Sequence, residues 1–177
     1  MDSPTLKSLT WDLHKQAEQT ALMTHLLDNT ISDHVYAHLV YTKYQIYHTI
    51  EQRIKFKCAD LYRAQKAWAD WTQMGHVEPP MLSSLVLMLD HLNTITDYSV
   101  WAHVYVHYLA PLYGGQMIRR TIQNRFPTTI YEFDNPDMCK QEIRQMLTVD
   151  MATEANKSFA YTIQYYNQLW DHHATLD

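Results

Sequence analysis

Trp101-Ala-His-Val-Tyr-Val-His-Tyr-Leu-Ala-Pro-Leu-Tyr-Gly-Gly-Gln-Met-Ile-Arg-Arg120 is the stretch on which the fold turns. The chain has 3 glycines in 177 residues, and two of them, Gly114 and Gly115, stand side by side inside a run of otherwise helical character. No turn residues flank them, and Gln116, Met117, Ile118, Arg119 and Arg120 resume the helical pattern at once. Glycine in a helix interior costs up to about 1 kcal/mol relative to alanine. Pro111 lacks an amide donor, and its ring crowds the carbonyl of the residue four positions earlier, His107. A helix that carries both features kinks there. The kink has two readings: bare backbone that a flat group can approach closely, or a bend that serves helix packing. This stretch alone leaves both open.

Outward from it, every long segment has a helical period. Ser3-Pro4 reads as an N-cap followed by proline at N1, after which Leu6, Leu9, Leu13, Ala17 and Ala21 form one stripe. A second helix fits Ser32 to about Lys57, with Val35, Leu39, Ile46, Ile50 and Ile54 facing inward. A third runs through Leu61 to Trp71 and ends near Gly75; Glu78-Pro79-Pro80 is the clearest punctuation. Met81 to Thr94 follows, with a break at Asp97. The kinked helix covers about Ser99 to Asn124 and stops at Phe126-Pro127-Thr128-Thr129. Tyr131 to Asp137 reads as a connection, and from Met138 one or two helices carry Ile143, Met146, Ala155, Phe159, Ile163, Tyr166 and Trp170. There is no useful strand alternation and no repeat. The expectation is one all-α domain over residues 1–177, a helical bundle with a kinked helix in it.

Composition agrees. Hydrophobic content of 46% with few Gly and Pro argues for a folded, mainly helical chain. The net charge of −5, with no basic run, argues against nucleic acid or an anionic membrane as partner. No apolar run approaches the roughly 20 residues a membrane span needs, and the first residues lack the apolar core of a signal peptide. Cys58 and Cys139 show neither zinc nor CxxC spacing, so reduced thiols in a cytoplasmic protein are the simple reading.

Chemistry must then come from polar residues on helix faces. Lys7, His14 and Glu18 are spaced i, i+7, i+11 and share one side of the first helix. His14 and Glu18, at i and i+4, can meet. A carboxylate that accepts Nδ1–H fixes the tautomer and leaves Nε2 free for a metal. With 11 histidines in the chain, an ordinary surface histidine is the competing reading. No HExxH, no paired ExxH, no P-loop, no dinucleotide fingerprint and no GxSxG is present.

Taken together, three motifs resemble the heme oxygenase family. Leu13-His-Lys-Gln-Ala-Glu-Gln-Thr-Ala-Leu-Met23 is similar to the family's proximal helix. Tyr105-Val-His-Tyr-Leu-Ala-Pro-Leu-Tyr-Gly-Gly-Gln116 is similar to its distal helix, typically Tyr-x-Arg-Tyr-Leu-Gly-Asp-Leu-Ser-Gly-Gly-Gln. Glu154-Ala-Asn-Lys-Ser-Phe159 is similar to the late helix that closes the pocket. They occur in family order and span nearly the whole chain, with a contraction between Arg144 and Glu154.

The resemblance implies that His14 is the iron ligand, held by Glu18, and that Gly114 and Gly115 let the distal helix lie on the face of heme b. Lys7, Lys140 and Arg144 would meet the propionates, with the Tyr105 hydroxyl beside them. Met23 and Phe159 would pack the macrocycle or simply belong to the core, and Tyr47 would support a distal water network. The implied reaction opens heme to biliverdin with release of carbon monoxide and ferrous iron. It consumes O2, with ferredoxin or another soluble reductase as electron donor.

The departures lie in the distal helix. Ala110-Pro111 stands where the family has Gly-Asp, His107 where it has arginine, and Tyr113 where it has serine. His107, with the carbonyl that Pro111 frees as a water acceptor, can stand in for the missing aspartate; the alternative is a solvent-facing side chain. Two other readings follow: a non-enzymatic heme-binding or heme-sensing protein, and a relative that uses the scaffold for another substrate, as thiaminase-like proteins do.

Overall fold

The structure, a computed structural model, describes residues 5–75 and 77–174. Among these residues there are helices and no strands. The Ser3-Pro4 cap lies outside them. The first helix, α1 (Leu6–Glu18), opens on Thr5, whose hydroxyl accepts from the Ser8 amide while the Ser8 hydroxyl accepts from the Thr5 amide, a reciprocal capping box. The α1 stripe is narrower than its sequence suggests. Leu6, Thr10 and Ala17 are buried, whereas Leu9 is 43% exposed, because Thr10 turns inward to bond Leu6 O and Tyr105.

After α2 (Ala21–Leu27), the Ser32 hydroxyl caps α3 (Asp33–Arg53). The helix stops four residues before the expected Lys57: Ile54 takes extended dihedrals, and the Glu142 carboxylate claims the Lys57 and Cys58 amides. This helix is the spine of the molecule. Val35, Leu39, Ile46 and Ile50 are buried as expected, but so are Tyr36, Val40 and Tyr47, because the helices Ala64–Met74 (α4), Ser83–Thr94 (α5), Asp97–Tyr113 (α6) and Ala152–Ala174 (α9) surround it. A helix buried on most sides must be apolar on most sides.

Glu51 on α3 accepts from the Arg63 and Ala64 amides at 2.6 and 2.9 Å and so caps α4 (Ala64–Met74) from outside. Gly75 closes α4 with a φ of +69°, a left-handed cap that favours glycine. Then α5 (Ser83–Thr94) leads to α6 (Asp97–Tyr113), capped by Thr96.

The single kinked helix expected over 99–124 is two helices. The joint is Gly114, between α6 and α7 (Gly115–Ile122). Its dihedrals, φ −86° and ψ −24°, are ordinary helical values, and its amide still bonds Ala110 O at 2.8 Å. The joint therefore needs no left-handed backbone, and it follows Pro111, which removes one helical donor just before it. A 3-10 turn at Thr129–Tyr131 follows. The buried Asp70 carboxylate holds it, accepting from the Thr129 and Ile130 amides and from the Thr129 hydroxyl. The last helices are α8 (Pro136–Met146) and α9 (Ala152–Ala174), joined by the short turn where the sequence contracts. Both α1 and α6 pack on α9, and they meet each other where the Thr10 and Tyr105 hydroxyls lie 3.2 Å apart.

Candidate active site

On α1, His14 sits against Trp11 (ring centroids 5.4 Å) and edge-on to Phe159 of α9 (5.6 Å). Phe159 in turn meets Tyr105 of α6 at 6.3 Å, so residues from three helices converge. Glu18 reaches His14, but at Nε2 (3.4 Å) rather than at Nδ1, and Nδ1 is the buried nitrogen with no protein partner. This reverses the expected roles: the ring lies flat on Trp11, and that χ2 turns Nε2 toward the carboxylate. One nitrogen thus has a carboxylate beside it and the other has none, the donor arrangement a metal-binding imidazole needs.

The two glycines separate. A Cβ on Gly114 would find only the Ala110 carbonyl, at 3.4 Å, so that side of the backbone is open. A Cβ on Gly115 would lie 2.8 Å from the Tyr131 ring and 3.3 Å from Pro111. Gly115 therefore serves helix packing, the second reading of the kink, while Gly114 leaves its side of the backbone open. Beside this joint, Tyr113 at the end of α6 gathers the cations of α8. Lys140 Nζ is 4.8 Å from its ring centroid, and Arg144 lies over the ring and donates to its hydroxyl. Lys140 and Arg144 line an open groove of about 480 Å³. Lys7 is exposed and extends over Trp11 instead, 5.5 Å from its centroid. Met23 is half-buried against the core.

His107 does not face solvent: it is 5% exposed. Its Nε2 is 3.2 Å from the Ser158 hydroxyl on α9. Its carbonyl, which Pro111 leaves without a helical donor, accepts from the Tyr47 hydroxyl at 3.4 Å, so a tyrosine of α3 takes the place that a water was expected to fill. Burial pushes the His107 pKa well below the usual histidine range, so the ring is neutral. Burial works against the charge of Lys43, one turn before Tyr47, but Tyr166 and Tyr47 beside it outweigh this and leave its pKa raised.

Glu154 turns away from this pocket. It accepts from His103 Nε2 at 3.0 Å and His91 Nε2 at 2.5 Å. The His103 bond, against the cost of burial and with help from His91, holds its pKa down at about 2. Burial lowers His103 as well. With both pKa values lowered, the contact is a neutral imidazole donating to a carboxylate.

Sequence reading missed several of these residues. Glu51, which also accepts from the Tyr108 hydroxyl at 3.2 Å, and the fully buried Arg63 tie α3, α4 and α6 together beneath Tyr47. Glu51 lies four residues after Tyr47, a spacing that could have flagged it. Arg63 and Lys43 had no local signal. Cys58 and Cys139 are free and buried with Sγ atoms 3.3 Å apart, and burial pushes the Cys139 thiol up, which keeps it protonated. No spacing rule pairs residues so far apart in sequence.

The heme oxygenase family profile matches residues 2–166. Heme oxygenase 1 of Synechocystis is 27% identical over 88% of this chain and 79% of its own length. The crystal structure of heme oxygenase-1 from Synechocystis in complex with heme superposes with a TM-score of 0.77 at 23% identity, covering 97% of this chain and 95% of that one. The heme oxygenase structure from Leptospira interrogans gives a TM-score of 0.80 at 19% identity over 92% and 96% of the two chains. At these identities the structural matches establish the all-α fold.

Proposed function

This chain belongs to the heme oxygenase family, and from that membership we propose that it opens heme to biliverdin, releasing carbon monoxide and ferrous iron, with electrons from ferredoxin or a similar soluble reductase. The observation that carries the proposal is that two complementary features stand on the helices bearing the family motifs. His14, with Glu18 behind it, stands on α1, and the open backbone of Gly114 lies beside a cationic rim on α6 and α8. The donor set fits heme: an imidazole with an unpartnered buried nitrogen, aromatic walls, and two cations next to the close-approach point for paired carboxylates. Heme, as substrate, supplies both the redox-active iron and the ring that is opened.

The protein contributes position and protons. His14 binds the iron, Glu18 sets the tautomer, and Phe159 packs against the imidazole edge. Lys140 and Arg144 draw the propionates toward Tyr113, with Lys7 and the Tyr105 hydroxyl at the α1 side. The bare Gly114 lets α6 approach the plane. Proton supply replaces the family's aspartate with a buried chain of groups. Tyr47 is locked to the His107 carbonyl, His107 is neutral and hydrogen-bonded to Ser158, and Lys43 provides a charged donor among tyrosines. A neutral imidazole both accepts and donates, which a relay requires.

The test is aerobic turnover of the heme-loaded chain with a ferredoxin reducing system and catalase, followed by absorption spectroscopy. A Soret band that decays into biliverdin absorption is expected. A Soret band that persists would make the chain a heme binder rather than an enzyme. His107→Ala is expected to slow decay by about 10- to 100-fold and to change the ratio of biliverdin isomers. Unchanged rate and ratio would remove His107 from the relay.

A further inference from the structure

Far from this pocket, the ends of α3 and α9 bring three histidines together. His38 lies in the first turns of α3, while His172 and His173 lie in the last turn of α9. His38 Nδ1 is 3.1 Å from His173 Nε2, and the ring centroids are 5.8, 5.3 and 5.1 Å apart for the pairs 38–172, 38–173 and 172–173. One nitrogen from each ring can be chosen so that all three lie within 4.8 Å of one another. Thirteen residues separate Phe159 from His172, about 20 Å along a helix, so this cluster is remote from His14.

We propose that His38, His172 and His173 form a binding site for a divalent transition-metal ion of the zinc type. The ligand set is a three-imidazole set with its remaining position toward solvent, since His172 and His173 are half-exposed. A tetrahedral site with metal–nitrogen bonds of about 2.0–2.1 Å needs nitrogens about 3.3 Å apart. The closest pair is already near that spacing, and the half-exposed rings have room to adjust.

Two further features point to a cation. His38 is 3% exposed and hydrogen-bonds the backbone of Pro80. Proline has no N–H, so the imidazole donates, and the neutral ring then presents Nδ1 as a lone pair toward the cluster. An N–H anchored on a carbonyl is the outer bond that fixes a metal-binding histidine. The C-terminal end of a long helix also favours positive charge. Oxygen-preferring ions such as Mg2+ and Ca2+ are poorly served by three imidazoles.

The experiment uses the full chain without an affinity tag, stripped of metal and loaded with heme so that His14 is occupied. Zn2+ is titrated by calorimetry, with Co2+ as the spectroscopic probe. One Zn2+ per chain, a raised melting temperature and the strong visible bands of four-coordinate Co2+ are expected. His172→Ala and His173→Ala lie on the half-exposed last turn and are compatible with folding; each is expected to weaken Zn2+ binding at least about tenfold. His91→Ala, at the separate His91–His103–Glu154 cluster, should leave binding unchanged. Absence of binding, binding that survives His173→Ala, or binding lost in His91→Ala would each overturn the proposal.

Discussion

A methyl group on Gly115 would press on the Tyr131 ring, which is 2% exposed and has nowhere to move. Gly115→Ala is therefore expected to destabilise the heme-free protein by about 1–3 kcal/mol, the usual cost of overpacking. At Gly114 the backbone is ordinary helix and the space is open, so alanine should be neutral or stabilising by up to about 1 kcal/mol. Heme binding should respond the other way round, with the larger loss in Gly114→Ala, because its methyl would occupy the close-approach surface. Urea unfolding and heme titration of the two variants test both statements. Equal heme affinity for Gly114→Ala and the unmodified chain would mean that α6 does not approach the ring at this residue. The sequence could place a paired glycine in a helix, but it could not say which member faced which neighbour. That depends on Tyr131, sixteen residues away in the next connection.

Among the elements, α1 has a distinctive attachment: it packs on α9, on α2 and on the turn at Val149–Met151, and it touches α6 through the Thr10–Tyr105 hydroxyls. Under the proposed function, its His14 face is one wall of the heme pocket and α6 is the other. Heme bridging the two walls should slow amide exchange along α1 more than along α3, which is buried with or without ligand. Hydrogen–deuterium exchange with and without heme measures this. Uniform protection across all helices would argue against a pocket between α1 and α6. At this scale much was legible in the sequence. Caps at Ser32 and Gly75, the break at Asp97 and the stop at Phe126–Pro127 all appear at or near their expected positions. Misjudged boundaries were those set by distant side chains: Glu142 beyond the end of α3, Glu51 before α4, and Asp70 under the turn at Thr129.

For the molecule as a whole, buried titratable groups fix how stability responds to pH. His103 and His107 are held neutral by burial. Below a pH of about 6.5 the unfolded chain takes up protons that the fold refuses, so stability falls as pH falls through that value and is fully present above it. Glu154 acts in the same direction lower down: its contribution is complete above its ordinary value of 4.5 and is lost as pH falls toward about 2. Asp70 and Glu51, raised by burial, act in the opposite sense nearer the carboxylate range. A lower melting temperature at about pH 5.5 than at about pH 7.5 is expected, with a smaller difference in His107→Gln. A flat profile across that interval would contradict the neutral buried imidazoles. By itself the sequence determined the helical class, the order of the helices, the residues that face the core of α3, and the three motifs that carry the family, because helical periodicity, caps and local spacing are properties of neighbours along the chain. Tertiary structure alone decided that Tyr47 occupies the carbonyl freed by Pro111, that Glu154 serves His91 and His103, that the thiols meet, and that His38 joins His172 and His173. Each of these pairings spans dozens of residues, and burial between packed helices, not any signal along the backbone, selects the partner.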